Sequence, residues 1–274
     1  MKTFNLTLLT FAFLISTQAK AESDWYSDYL SRVTATQEEQ PHWMTPVFTT
    51  TARLEQEFRT DLVFQKASNG NETVNYGNGK GLELIPFERV EIILGVPPYI
   101  VKNTPKVNDS FGDMPTLIKY RILSENSAGE NYILTGFLGT SLPVGASPNG
   151  GVAVIVTPSI AGGKGWGDFD VQSTLGIALP LADVSSIGQT LQFNTAFQYH
   201  LEPAFWPQLE FNLSHFSGSK NNGLTQAFIS PGIIFGRFPI HNRTAFAIGV
   251  GYQIAVTTFH TYNDAVSLTM RLPF

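Results

Sequence analysis

From about Thr51 onward, apolar side chains recur at every second position, in runs longer than an ordinary soluble sheet uses. The last nine residues show the pattern. Val266, Leu268, Met270, Leu272 and Phe274 share one parity, and Ser267, Thr269, Arg271 and Pro273 share the other. Successive side chains of a strand point to opposite faces, so one face of such a strand is apolar and the other mostly polar. Phe169, Val171, Leu175, Ile177 and Leu179 oppose Asp168, Asp170, Gln172 and Thr174. Leu191, Phe193, Phe197 and Tyr199 oppose Gln192, Asn194 and Gln198. Phe246, Ile248, Val250, Tyr252, Ile254 and Val256 oppose a face of alanine, glycine and Gln253. Many runs reach the roughly 9–11 residues of a tilted transmembrane strand, where soluble strands hold about 5–6.

The second face carries charge. In "TARLEQEFRTDLVFQ", Arg53, Glu55, Glu57, Arg59 and Asp61 alternate with Leu54, Gln56, Phe58, Thr60 and Leu62. Charges in such a row cannot face a dry core unpaired, but they can face a water-filled lumen or bulk water. Arg89, Glu91, Lys119, Arg121, Asp168 and Asp170 are assigned to the same inner face. Rings of charge inside a barrel select solutes. Mixed signs on adjacent strands favour a largely structural, salt-bridged network instead, because buried charges must be paired.

Twelve strands are expected, over residues 51–66, 79–85, 87–95, 115–123, 131–142, 151–160, 168–180, 189–200, 206–216, 225–238, 243–257 and 263–274. An even number fits an antiparallel up-and-down transmembrane β-barrel with both termini in the periplasm. The outer connections are then 67–78, 96–114, 143–150, 181–188, 217–224 and 258–262, longer on average than the inner ones. A tight turn is placed at Pro86, because proline cannot serve a central ladder. Trp43, Trp166 and Trp206 fall at or beyond strand ends, where an indole suits the membrane interface.

The start of the chain supplies a route to the membrane. Lys2, the apolar stretch Leu6–Ile15 and Ala19-Lys20-Ala21 have the form of a secretory signal, with cleavage expected after Ala21. Residues 22–50 are polar and aperiodic, and are expected to form a periplasmic segment. No later segment has the roughly 18 apolar residues of a membrane-spanning helix. Charged residues make up 14%, against about 25% in an average soluble domain, while Phe numbers 21. That suits a surface shared with lipid. The net charge of −5 argues against a nucleic-acid partner. Cysteine is absent, which removes disulfides and thiolate metal sites.

Chemistry-bearing motifs are few. "GGKGWGD" at 162–168 lacks the phosphate-loop order and reads as a turn. His200 and His215 take opposite parities and do not converge, so no catalytic residues are assigned and an enzyme is not expected. The five histidines are too dispersed for a metal site, and no cofactor is implied.

The stretches "GKGLELIP", "GVPPYI", "GDMPTLIKYRILSE", "NYILTGFLGTSLPVGA", "GKGWGDFDVQSTLGIALP", "NTAFQYH", "GRFPIH", "GYQIAVTTF" and "MRLPF" resemble the outer-membrane proteins grouped as the MetA-pathway of phenol degradation family. The resemblance spans Trp43 to Phe274. It implies an outer-membrane channel of a Gram-negative-type bacterium for small, often aromatic or hydrophobic, molecules, and it carries over no binding residues. The last strand, with Val266, Leu268, Met270, Leu272 and a terminal Phe274, also resembles the signal read by the outer-membrane barrel assembly machinery. The expected partners are therefore outer-membrane lipids, that machinery and small solutes. The alternative is a non-conducting structural or surface-binding barrel closed by internal salt bridges.

Overall fold

The computed structural model describes residues 22–104 and 107–274. The expected signal sequence, residues 1–21, lies outside the described residues. The chain forms a helix α1 (Glu22–Glu38), an irregular segment, and then one closed antiparallel sheet. The strands are β1 (Glu57–Lys66), β2 (Glu72–Gly77), β3 (Gly81–Phe87), β4 (Val90–Gly95), β5 (Tyr99–Lys102), β6 (Ser110–Phe111), β7 (Met114–Glu125) and β8 (Tyr132–Leu142). They continue with β9 (Ile155–Trp166), β10 (Phe169–Pro180), β11 (Gln189–Tyr199), β12 (Phe205–Ser217), β13 (Thr225–His241), β14 (Thr244–Ala255) and β15 (Asp264–Pro273). A short helix α2 (Val184–Ile187) caps the β10–β11 connection.

The wall nevertheless has twelve strands, because three of these pairs are single strands interrupted at a similar height. β1 pairs with β3 near Glu57↔Glu83 and with β2 from Asp61↔Gly77 to Lys66↔Glu72, so β2 and β3 are one strand broken at residues 78–80. β5 and β4 then pair with β2 and β3. β6 and β7 follow on β5 and β4 in turn. Pro97 and Pro98 mark the second break, as residues without a ladder N–H must. The barrel closes between β1 and β15, in register from Glu57↔Pro273 to Lys66↔Asp264.

The expected count of twelve agrees with the wall, but several boundaries move. Residues 51–56 are not strand. The turn expected at Pro86 lies at Glu88–Arg89, and Pro86 sits in β3 beside a register irregularity that spares the ladder a donor. The expected loops 67–78 and 96–114 contain β2, β5 and β6, since the ladder resumes beyond each Gly or Pro interruption. The glycine-rich stretch read as a turn at 162–168 is mostly the second half of β9, and the turn itself is only 167–168.

Connections at one end are short: 88–89, 126–131, 167–168, 200–204 and 242–243. Those at the other end, 67–71, 103–109, 143–154, 181–188, 218–224 and 256–263, are longer on average. Short turns and both ends of the described wall thus share one rim, the one that the barrel rule expects on the periplasmic side. The wall is buried on one parity only. On β15, Val266, Leu268, Met270 and Leu272 are exposed while Ser267, Thr269 and Arg271 are buried. Phe274 lies just past β15, where its N–H donates to the Gln56 carbonyl at 3.0 Å. The exposed belt of Phe193, Tyr252, Ile248, Leu175 and their neighbours is the surface a bilayer covers. Among the described residues no helix is long and apolar enough to cross a membrane.

Candidate functional site: an occupied lumen

The space inside the barrel is filled by residues 39–56 of the same chain. Trp43 is 5% exposed, Val47 2% and Leu54 0%, although none of them belongs to the wall. Trp43, Met44, Val47 and Ala52 form an apolar cluster with Ile133, Phe137, Ala161, Trp206, Ile234 and Ala247 of the inner wall. Small wall residues make the room. A Cβ on Gly163 or Gly165 would stand 2.5 or 2.7 Å from Trp43, and one on Gly251 would stand 2.7 Å from the Phe48 ring. The glycines of β9 are therefore a socket for an indole rather than turn formers.

An irregular segment at membrane depth must have its backbone N–H and C=O groups satisfied by something other than lipid or a strand partner. Here the inward charges do this. Glu210 of β12 accepts from three consecutive N–H groups: Val47 at 2.9 Å and Phe48 at 3.0 Å on Oε1, and Thr49 at 2.5 Å on Oε2. Glu91 Oε2 accepts from the Glu55 N–H at 2.6 Å. The carbonyls are met by cations and hydroxyls. Arg59 donates to Val47 O at 2.7 Å and Lys119 to Arg53 O at 3.0 Å. Arg271 donates to Thr45 O and Pro46 O, and Thr135 donates to Ala52 O at 2.6 Å. Gln172 bonds Met44 O at 3.0 Å and accepts from the Thr51 hydroxyl at 2.7 Å.

Glu210 ends a polar ladder across three strands. Gln172 donates to Asp170 and to Gln198, both at 3.0 Å, Gln198 donates to Gln208 at 2.8 Å, and Gln208 donates to Glu210 at 2.6 Å. Such a chain fixes each amide in one orientation, so the carboxylate is held ready for the segment it binds.

The candidate residues fall into three groups. Glu57, Arg59, Asp61, Glu91, Lys119, Arg121 and Asp170 are buried on the inner face of the wall. Arg59 pairs with Asp61 at 2.8 Å, Lys119 with Glu91 at 3.0 Å, and Arg121 with Glu39 at 2.7 Å near the rim. Arg53 and Glu55 are buried and paired with each other at 3.0 Å, but they belong to the internal segment and not to β1. Arg89 and Asp168 depart from the expectation: both are exposed in short turns, because β4 and β10 begin only at Val90 and Phe169, one residue beyond each of them. Trp43 and Trp206 are likewise buried inside rather than at the interface, and Trp206 stacks on His200 at 4.0 Å. Trp166 is 58% exposed at its strand end.

Sequence reasoning missed Glu210, Arg271, Lys80 and Glu83. Each lies on or beside the charged parity, so the signal was present. What the alternation could not show was that residues 39–56 would turn inward to meet them.

Two cavities remain beside the internal segment. One, of about 150 Å³, is lined by Thr45, Thr50, Thr51, Arg59, Lys80 and Lys119, with Ile93, Pro115 and Leu117 on its apolar side. The other, of about 330 Å³, opens near the short-turn rim and includes His42, Arg53, Glu55 and Arg237. Burial, then the charges of Arg53 and Arg237, hold the His42 imidazole below its usual pKa.

Comparison with known proteins places the fold. No family model and no curated protein sequence matches the chain. Among solved structures, the COG4313 outer membrane channel from Pseudomonas putida F1 superposes with a TM-score of 0.56 at 11% identity, over 85% of this chain and all of that one. The NanC porin superposes with a TM-score of 0.52 at 9% identity, over 79% of this chain and 98% of that one. The chain therefore has the fold of an outer-membrane-type β-barrel of twelve antiparallel strands.

Proposed function

We propose that this protein is an outer-membrane channel for small molecules, with residues 39–56 as an internal plug. One observation carries the proposal. The ladder closes between β1 and β15 without any strand from residues 39–56, which are held by side-chain hydrogen bonds and two apolar clusters. A filler that the wall does not need for closure can leave or shift while the barrel stays intact. The porin and channel folds that superpose on the chain support the same reading. The resemblance to the MetA-pathway of phenol degradation family extends it to small aromatic or hydrophobic solutes. Exported placement in an outer membrane, after removal of residues 1–21, and insertion through the assembly machinery that reads the Phe274 end belong to the same proposal. No catalytic role is part of it.

The paired, buried charges favour a second reading, a barrel that never conducts. One experiment separates the two. A variant lacking residues 25–52 is refolded beside the full mature chain, and heat-modifiable gel migration confirms both barrels. In planar bilayers the shortened barrel should show discrete conductance several times that of the full chain. Silence at all voltages from a correctly folded shortened barrel would defeat the channel proposal.

A further inference from the structure

The periplasmic rim carries a feature that neither the lumen nor the plug uses. Arg32 of α1 and Phe87, Glu88, Arg89, Val90 and Tyr120 of the β3–β4 turn and its neighbours line an open groove of about 410 Å³. Val90 and Tyr120 are cross-strand partners on the outward parity. Tyr120 is 52% exposed, and Ile118 and Ile122 on the same strand and face are exposed with it. The groove therefore opens where the lipid-covered wall ends, at the end with the short turns.

Its charges are unusual for this protein. The buried arginine nearby, Arg121, is saturated by Glu39 and by the carbonyls of Thr36 and Glu88. Among the described residues neither Arg32 nor Arg89 is in an ion pair. The Arg32 guanidinium lies 5.7 Å from the centre of the Tyr29 ring, and its Nε is shielded from solvent without a hydrogen-bond partner. Two uncommitted guanidiniums, one carboxylate and an aromatic wall thus meet at the level of a lipid headgroup.

We propose that this groove binds a phospholipid of the periplasmic leaflet through its headgroup, with the phosphate on Arg32 and Arg89 and a primary ammonium on Glu88. The guanidinium fork matches phosphate oxygens, and an aromatic side chain suits the interface where a headgroup meets its acyl chains. A zwitterionic phosphoethanolamine headgroup answers all three charges. The outward apolar face below the groove gives acyl chains a surface that free phosphate cannot use. Because Arg32 lies on α1 and Arg89 on the wall, one lipid would tie the helix that leads into the plug to the barrel.

The test uses the full mature chain, delipidated in detergent and titrated in native mass spectrometry with phosphatidylethanolamine and, separately, phosphatidylglycerol. Arg32→Ala with Arg89→Ala should weaken the first phosphatidylethanolamine adduct about tenfold or more, the loss expected for charge-assisted contacts. Lys220→Ala at the opposite end should not. Glu88→Gln should reduce the preference for phosphatidylethanolamine over phosphatidylglycerol. Millimolar glycerophosphoethanolamine or inorganic phosphate should fail to displace the lipid. Equal retention by the double arginine variant overturns the site. Displacement by the soluble compounds overturns a lipid in favour of a free anion. Equal binding of the two lipids by the unaltered protein overturns the role of Glu88. Heat-modifiable migration of every variant excludes misfolding as the cause.

Discussion

Replacing Glu210 by Gln tests how the plug is held. Glu210 Oε1 accepts from Val47 N, Phe48 N and Gln208 Nε2, while Oε2 faces Thr49 N at 2.5 Å. The three donors on Oε1 fix the orientation of the new amide, so its NH₂ must face the Thr49 N–H. One charge-assisted bond, about 1.5–3 kcal/mol, is lost outright. The bonds to Val47 and Phe48 become neutral ones of roughly half the strength. Water entering the loosened lumen recovers part of this, leaving a net loss of about 2–3 kcal/mol in plug seating. At tenfold per ~1.4 kcal/mol, the displaced state should grow by roughly 30- to 150-fold. Hydrogen exchange of the Val47, Phe48 and Thr49 amides in the folded barrel reads this directly, and openings toward the level of the plug-deleted channel should become more frequent. The wall has its own ladder, so gel migration should be unchanged. Exchange at those three amides within a few-fold of the unaltered protein would refute the claim that Glu210 holds the plug.

Two further outcomes follow from the same packing. Lys119→Ala leaves Glu91, which is 0% exposed, without its cation, and should cost about 3–5 kcal/mol, seen as a lower urea midpoint. Adding Glu91→Gln should restore much of that, and an unchanged midpoint in the single variant would show that the pair is not structural. Arg at Leu175 or Ile248, both on the exposed outer face, should cost about 2–4 kcal/mol in a bilayer near its midplane, while Arg at Gln192 should cost clearly less. Equal tolerance at the outer and inner positions would mean that the strand faces are assigned wrongly.

Alternation along the chain determined the architecture by itself. A period of two held over runs of ten or more residues fixes strands, their length implies a bilayer, and parity alone separates Leu268 from Thr269 or Phe58 from Arg59. This information is local, so it survives in the sequence. It also placed Lys119, Glu91 and Asp61 on the inner face. It failed for Arg89 and Asp168, one residue outside their strands, because turn positions carry no parity. It also failed for Arg53 and Glu55, whose alternation runs into that of β1 although the chain there has not yet entered the wall.

Tertiary structure decided the rest. Residues 39–50 have no period, residues 51–56 carry one that reads as strand, and nothing local says that the segment folds back into the barrel. Their place depends on partners more than a hundred residues away: Glu210 for the amides of Val47 to Thr49, Arg271 for the carbonyls of Thr45 and Pro46, and Gly163 and Gly165 for the Trp43 ring. The same glycines read locally as a turn and spatially as a socket. A buried backbone group requires a hydrogen-bond partner, but the requirement does not say where along the chain that partner stands. Only closure of the barrel brings those groups to one place.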